Sequence, residues 1–465
     1  MRLRLPACAI ALVVAMTCVP PRVHAAPDLV YALRNVRIVP VSGAVVASGT
    51  VIIAGGLIQA AGASATVPRG ATEIDASGLT VYPGLFDALT DLGLPAAAQP
   101  AAAPTPGGGA PVARPASSVR GPQDRPGSTP WIQAADDVKP DERKFETWRN
   151  GGFTNALIAP KAGLLPGQSA VIALAGERTS DVVVRPAVTV QASLTPTGGF
   201  GTFPASLMGV IAYLKQVWID TAHYGAWLEQ YAANPRGIER PAHDRTVVAL
   251  HEAMKARRPV VLPAMTATQI RRALTLAAEL NVSPVIAGAH QGYDAVDALG
   301  ARKTPVIVSV KWPEKARDSD PDADEPLRTL QFRDRAPSTP AALARAGVPF
   351  AFTSDGLATP RDVLKGVKRA IDAGLAPDAA LRALTLSPAE MFGVADRMGS
   401  IEAGKIANLV VTDGDLFDEK TKVRMVFVDG QLFEQKDATR PADAGGTRPG
   451  VPAIVDGGVR RREPC

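Results

Sequence analysis

Apolar residues recur with two different periods along this chain. Over residues 30–81, short β-branched runs alternate with turns. Segments 36–39, 51–53 and 57–60 have strand composition, and Gly55-Gly56 between the last two is a hairpin signal. The same texture returns after residue 400, at 408–411, 423–428 and 431–433, with Asp429-Gly430 as a tight turn. The middle reads differently. Short apolar runs at 80–82, 156–158, 260–262, 285–287, 306–308 and 349–352 alternate with helical patterns. Over 268–280, for example, Ile270, Leu274, Ala277 and Ala278 recur at helical spacing. Such βα units predict an α/β fold: a (β/α)8 TIM barrel, with a small β-sandwich built from both chain ends around it.

These patterns divide the chain. Residues 28–81 are expected to form the first part of the sandwich, 82–394 the barrel and 395–435 the second part. Residues 95–130 are rich in Ala, Pro and Gly without apolar periodicity, a low-complexity loop following the first barrel strand. It would hang over the barrel mouth as a lid or an inert spacer, and nothing in its composition would fold by itself. The tail 436–465 has the same character. Residues 314–325 alternate charges with Pro and read as an exposed loop.

The first 25 residues read as a signal peptide. Arg2 and Arg4 precede a short apolar run over 7–19, and Val23-His24-Ala25 offers a small-residue cleavage site. The run is too short to span a bilayer and is broken by Pro20-Pro21. No later segment is long and apolar enough to do so. Export would place the mature protein in the periplasm or outside the cell. Of the three cysteines, Cys8 and Cys18 leave with the signal. Cys465 alone remains, so no internal disulfide is possible. Removing Arg2, Arg4 and Arg22 also lowers the formal charge from +5 to +2. With no dense basic stripe, nucleic-acid binding is not expected. The 46% of hydrophobic residues in a chain of 465 suffices for a large packed core.

Several segments, in order, resemble the metal-dependent amidohydrolase superfamily, in its imidazolonepropionase-like branch. Ile74-Asp75-Ala76-Ser77-Gly78-Leu79-Thr80-Val81-Tyr82-Pro83-Gly84-Leu85-Phe86-Asp87-Ala88 is close to the pattern around the family's first barrel strand. Thr353-Ser354-Asp355 is similar to its eighth-strand Asp motif, and residues 373–381, 385–389 and 399–409 continue the match. The resemblance implies a hydrolase acting on non-peptide carbon–nitrogen bonds of a small amide or cyclic amide, with a metal held by His-x-His on strand one, His on strands five and six, and Asp on strand eight. This chain departs from that set. Leu89 and Asp91 stand where His-x-His would be, and Pro263 stands at the fifth-strand His.

Three potential ligands survive, each just after a predicted strand, where barrel active sites lie: Asp91, His290 and Asp355. They would hold one divalent metal (Zn, Mn or Fe), or the chain would carry none. With a metal held, Asp355 would also serve as general base toward the metal-bound water. Alternatively Asp91 and Asp355 are turn or helix-cap residues, and His290 merely hydrogen-bonds nearby. The remaining histidines, His223, His243 and His251, and Lys215 lie on helical or loop patterns and read as structural. Two functions follow: a hydrolase with a reduced metal site, or a catalytically inactive homologue that binds a ligand or pairs with an intact amidohydrolase. In either case a small-molecule substrate or ligand is expected at the barrel mouth, with a homo-oligomer as a further possibility.

Overall fold

The computed structural model describes residues 29–95, 125, 127–196, 203–315 and 324–434. The expected signal peptide and tail, and most of the 95–130 loop, lie outside the described residues.

The N-terminal part supplies β1 (Tyr31–Ile38), β2 (Val46–Ala54), β3 (Leu57–Gly62), β4 (Thr72–Asp75) and β5 (Thr80–Pro83). The middle supplies β6 (Leu85–Thr90), β7 (Phe153–Ile158), β8 (Gly167–Gln168), β9 (Ala170–Ala173), β10 (Val183–Arg185), β11 (Val190–Gln191), β12 (Val260–Ala264), β13 (Pro284–Gly288), β14 (Val306–Ser309) and β15 (Phe350–Thr353). The C-terminal part adds β16 (Leu409–Thr412), β17 (Val423–Val428) and β18 (Gln431–Glu434).

Both chain ends do build one unit. Its strand order is β18-β17-β16-β5-β1-β2-β3, with β4 also paired to β1. The ladders form a single hydrogen-bonded, branched sheet. The branch arises because β1 pairs β4 over Tyr31–Arg34 and β5 over Arg37–Ile38. Its apolar side chains enclose one core, including Leu33, Val51, Ile58, Val81, Leu409 and Phe427. Tyr31 packs edge-on against Phe427, with ring centroids 5.6 Å apart. Each such buried side chain contributes about 1.5–3 kcal/mol of transfer free energy.

The middle forms two further sheets, β10-β9-β7-β6 and β15-β14-β13-β12-β11-β8. They adjoin at two seams. At one, only Ser169 separates β8 from β9, and its amide donates to Thr189 O. At the other, the Thr353 hydroxyl donates to Leu89 O at 2.5 Å. The strands from β11 to β15 run parallel, as do β6 and β7. The β8–β9 segment is antiparallel to both of its neighbours, β11 and β7. One position around the ring is thus filled by a reversed strand, a departure from eight parallel βα units. A reversed strand needs no covering crossover helix, so the pattern there shows no helix to count.

Inside the ring, Ala88, Leu157, Val171, Val261, Val285, Ile307 and Ala351 pack together. Phe392, Val394 and Met398, which follow the helix Leu386–Met391, join the same cluster. Helices cover the outside. The helix Ala267–Glu279 starts at a capping box of Thr266 and Gln269 and buries Ile270, Ala273, Leu276 and Ala277. Ring and end sheet are fused through a buried amide cluster. Asn408 donates to Asn155 Oδ1 at 2.9 Å, and Asn408 Oδ1 accepts from the amide of Asp429 at 2.8 Å. Among the described residues no helix is long and apolar enough to cross a membrane.

Candidate functional site

Strand alternation sets what lines one end of the ring. Two residues beyond the inner-core Val261, Ile307 and Ala351 come Pro263, Ser309 and Thr353, near the strands' C-terminal ends. Pro263 is exposed there, and Leu89 packs at the rim of the inner core. Two of the positions where the family pattern would place histidines are therefore an apolar side chain and a proline at this end of the ring.

Asp355 lies two residues past β15 with φ 47°, a left-handed conformation that Asp tolerates better than most residues. It is half-buried. The Ser309 hydroxyl donates to Asp355 Oδ2 at 2.9 Å, and the Asp355 amide donates to Thr353 Oγ1 at 3.2 Å. Among the described residues nothing hydrogen-bonds to Oδ1, so one carboxylate oxygen is held and the other is available.

His290 follows a sharp turn after β13, with Gly288 at φ 101° and Ala289 at φ 49°. It is buried, and its Nε2 lies 3.2 Å from Ser309 O. A carbonyl can only accept, so Nε2 carries the proton and Nδ1 keeps the lone pair. Its ring centroid is 5.5 Å from that of Trp312 and 6.2 Å from that of Phe332. Burial lowers its pKa, opposed by the Ser309 carbonyl and the charge of Asp355. His290 is accordingly neutral at pH 7. Ser309 thus links two predicted residues, its carbonyl to His290 and its hydroxyl to Asp355.

Asp91 goes elsewhere. β6 ends at Thr90, and Asp91 opens a turn in which its carbonyl accepts from the Leu94 amide at 3.0 Å. Its side chain is 60% exposed and pairs with Lys161, 3.4 Å away. It lines a separate cavity of about 360 Å³ with Lys161, Thr129 and Pro166. The structure brings His290 and Asp355 together through Ser309 and leaves Asp91 outside that group. Among the described residues, no three or more His, Cys, Asp or Glu gather so as to hold a metal ion. The donor set therefore does not fit a divalent metal, because about three or four ligands are needed.

Asp87 is the residue that sequence reasoning passed over. It is buried at 2% exposure. Its carboxylate accepts from the Ser354 amide at 3.0 Å, the Ser354 hydroxyl at 2.6 Å and the Leu89 amide at 3.4 Å. Burial nonetheless pushes its pKa up to about 6, more than these hydrogen bonds lower it. The signal was an acidic residue inside the apolar run Leu85–Thr90. Lys215 pairs with Glu279 at 2.6 Å on the helix Leu207–Ala233, and His251 packs over Gly225.

Comparison with known proteins bears on the fold. An amidohydrolase from Thermotoga maritima superposes with a TM-score of 0.70 at 23% identity, covering 87% of this chain and all of that one. The chain has the amidohydrolase fold. Its residues 306–433, from β14 into β18, match the model of the amidohydrolase family. A prolidase complexed with N-methylphosphonate-L-proline also matches, with a TM-score of 0.52 and 17% identity over 88% of this chain and 100% of that one. Phenylurea hydrolase B matches with a TM-score of 0.51 and 16% identity over 87% and 96% of the two chains. None of the curated proteins compared matches in sequence. Within that matched segment, Ser309 lies at the end of β14 and Asp355 just after β15.

Proposed function

We propose that the chain is a hydrolase of the amidohydrolase superfamily, in an imidazolonepropionase-like branch with a degenerate metal site. It acts on a carbon–nitrogen bond of a small amide or cyclic amide at the C-terminal ends of the ring strands. One observation carries this reading. Asp355 is fixed by Ser309 through one oxygen and offers the other at that end of the ring. The names of the prolidase and phenylurea hydrolase among the structural neighbours favour an amide- or urea-type bond.

Asp355 Oδ1 accepts a proton from water as the water oxygen attacks the carbonyl carbon. The C–N bond then breaks, and the proton passes from Asp355 to the departing nitrogen. Such a base contributes a factor of about 10²–10⁴. Since the donor set does not fit a metal, no step runs through one. A panel of amides, lactams and dipeptides tests this, with Asp355→Asn as the control. Turnover should fall by at least about 100-fold in the variant and survive a chelator. Turnover lost on chelation and restored by Zn, Mn or Fe would overturn the metal-free site.

A second reading is favoured by Leu89 and Pro263, which replace donors at the same end of the ring. In it the chain is a non-catalytic homologue that binds a small ligand there or partners an intact amidohydrolase. Absence of turnover by the parent protein, with saturable amide binding or recovery of such a partner, selects it. We also propose export through the N-terminal signal. N-terminal sequencing of the secreted protein should find a start near Ala26.

A further inference from the structure

We propose that a groove between the helix Pro360–Asp372 and the segment leading into β17 binds an organic anion with an apolar body. The cavity there has a volume of about 400 Å³. The helix contributes Arg361, Lys365 and Lys368, spaced to lie on one face. The opposing segment contributes Lys420, Lys422 and Arg424. Six cationic side chains thus face one cavity, against two acids, Asp418 and Glu419. Asp418 is already engaged, since its Oδ1 accepts from the Lys420 amide at 2.9 Å.

Internal pairing accounts for only two of the six. Lys368 pairs with Asp372, and Arg424 pairs with Asp413 at 2.7 Å. Among the described residues, Arg361, Lys365, Lys420 and Lys422 enter no ion pair. Like charges four residues apart on a helix, such as Arg361 and Lys365, destabilise it. A bound anion would relieve that repulsion. Between the cations the wall is apolar: Leu416 is buried, and Leu364, Phe417 and Val423 are half-buried. A bare inorganic ion would leave that wall in water. A carboxylate or phosphate carrying a ring or short acyl chain would satisfy both halves.

The groove shares no lining residue with the Asp355 site, so this inference stands apart from the proposed hydrolysis. Calorimetric titration of the full-length protein with phenyl phosphate, benzoate, benzyl alcohol and inorganic phosphate tests it. At least one of phenyl phosphate and benzoate should bind saturably, more weakly as salt is raised, and the stronger of the two assigns the headgroup. Benzyl alcohol should not bind, and inorganic phosphate should bind at least tenfold more weakly than the better aromatic anion. The double variant Lys365→Glu, Lys420→Glu should weaken binding at least tenfold, and the milder Lys422→Gln should shift it in the same direction. Asp355→Asn should leave it unchanged. Binding that is absent, equal in the charge variants, or as strong for inorganic phosphate would overturn the proposal.

Discussion

Asp87 sits where the strand ring closes between β6 and β15, and its burial has a measurable consequence. An unfolded Asp titrates near 3.8, whereas the folded one is pushed up to about 6. Between those values the folded state binds the extra proton, so stability falls as pH rises through that window. Below it the contribution is fully present; above about pH 6 it is lost. Asp87→Asn removes the ionisation while keeping a similar shape. The variant's stability relative to the parent should therefore improve by about 2–3 kcal/mol between pH 4 and pH 8, read from urea unfolding at each pH. A difference that does not change with pH would show that Asp87 is not titrating in this window. The sequence made Asp355 and His290 visible because both follow strands, and they do share Ser309. It misled on Asp91, since period-two alternation was extended one residue past the end of β6. Asp87 was hidden because the linear pattern shows an acid in a strand but not Ser354 across the seam.

The joint between the end sheet and the ring depends on small residues and amides. A Cβ added to Gly84 would lie 2.1 Å from Thr154 Oγ1 and 2.7 Å from Thr154 Cβ, in a fully buried setting. Gly84 also donates its amide to Asn408 O at 2.8 Å, which keeps β5 and β6 close to the strand β16 side. Gly84→Ala should cost about 1–3 kcal/mol through overpacking, measured by chemical denaturation. Thr154→Ala in the same chain should recover part of that loss, because it removes two of the three clashing atoms. Strands here were legible from composition, and the helix near 268–280 was found within a residue of Ala267–Glu279. Its buried face was found in half: Ile270 and Ala277 are buried as expected. Ala273 and Leu276 are buried, Leu274 is only half-buried and Ala278 is exposed. A four-residue apolar cluster fits two adjacent helical stripes, and only the packing against β12 and β13 selects between them. The reversed β8–β9 strand was missed for a related reason: its alternation looks the same in either direction.

The molecule closes through contacts distant in sequence. β5 lies between β1 and β16, pairing in parallel with the first and antiparallel with the second. Val410 on β16 also packs into the core shared by the ring and its helices. A chain ending near residue 400 should therefore lack a stable fold. Circular dichroism and limited proteolysis of that truncation should show loss of cooperative unfolding, whereas removal of residues 436–465 should leave the transition in place. That both ends join was readable from their shared turn-rich texture. The branching at β1 was not, because two parallel partners on one strand leave no trace in hydropathy.

The place of β5 also constrains the order of events during synthesis. Its edge toward β16 has no partner until about 330 further residues have been made, which at roughly 5–20 residues per second takes about 15–65 s. Throughout that interval Val81 and Tyr82 belong to an open strand edge, a template for pairing with another nascent chain. Recovery of soluble protein then depends on shielding of the growing polypeptide as well as on the stability of the finished one.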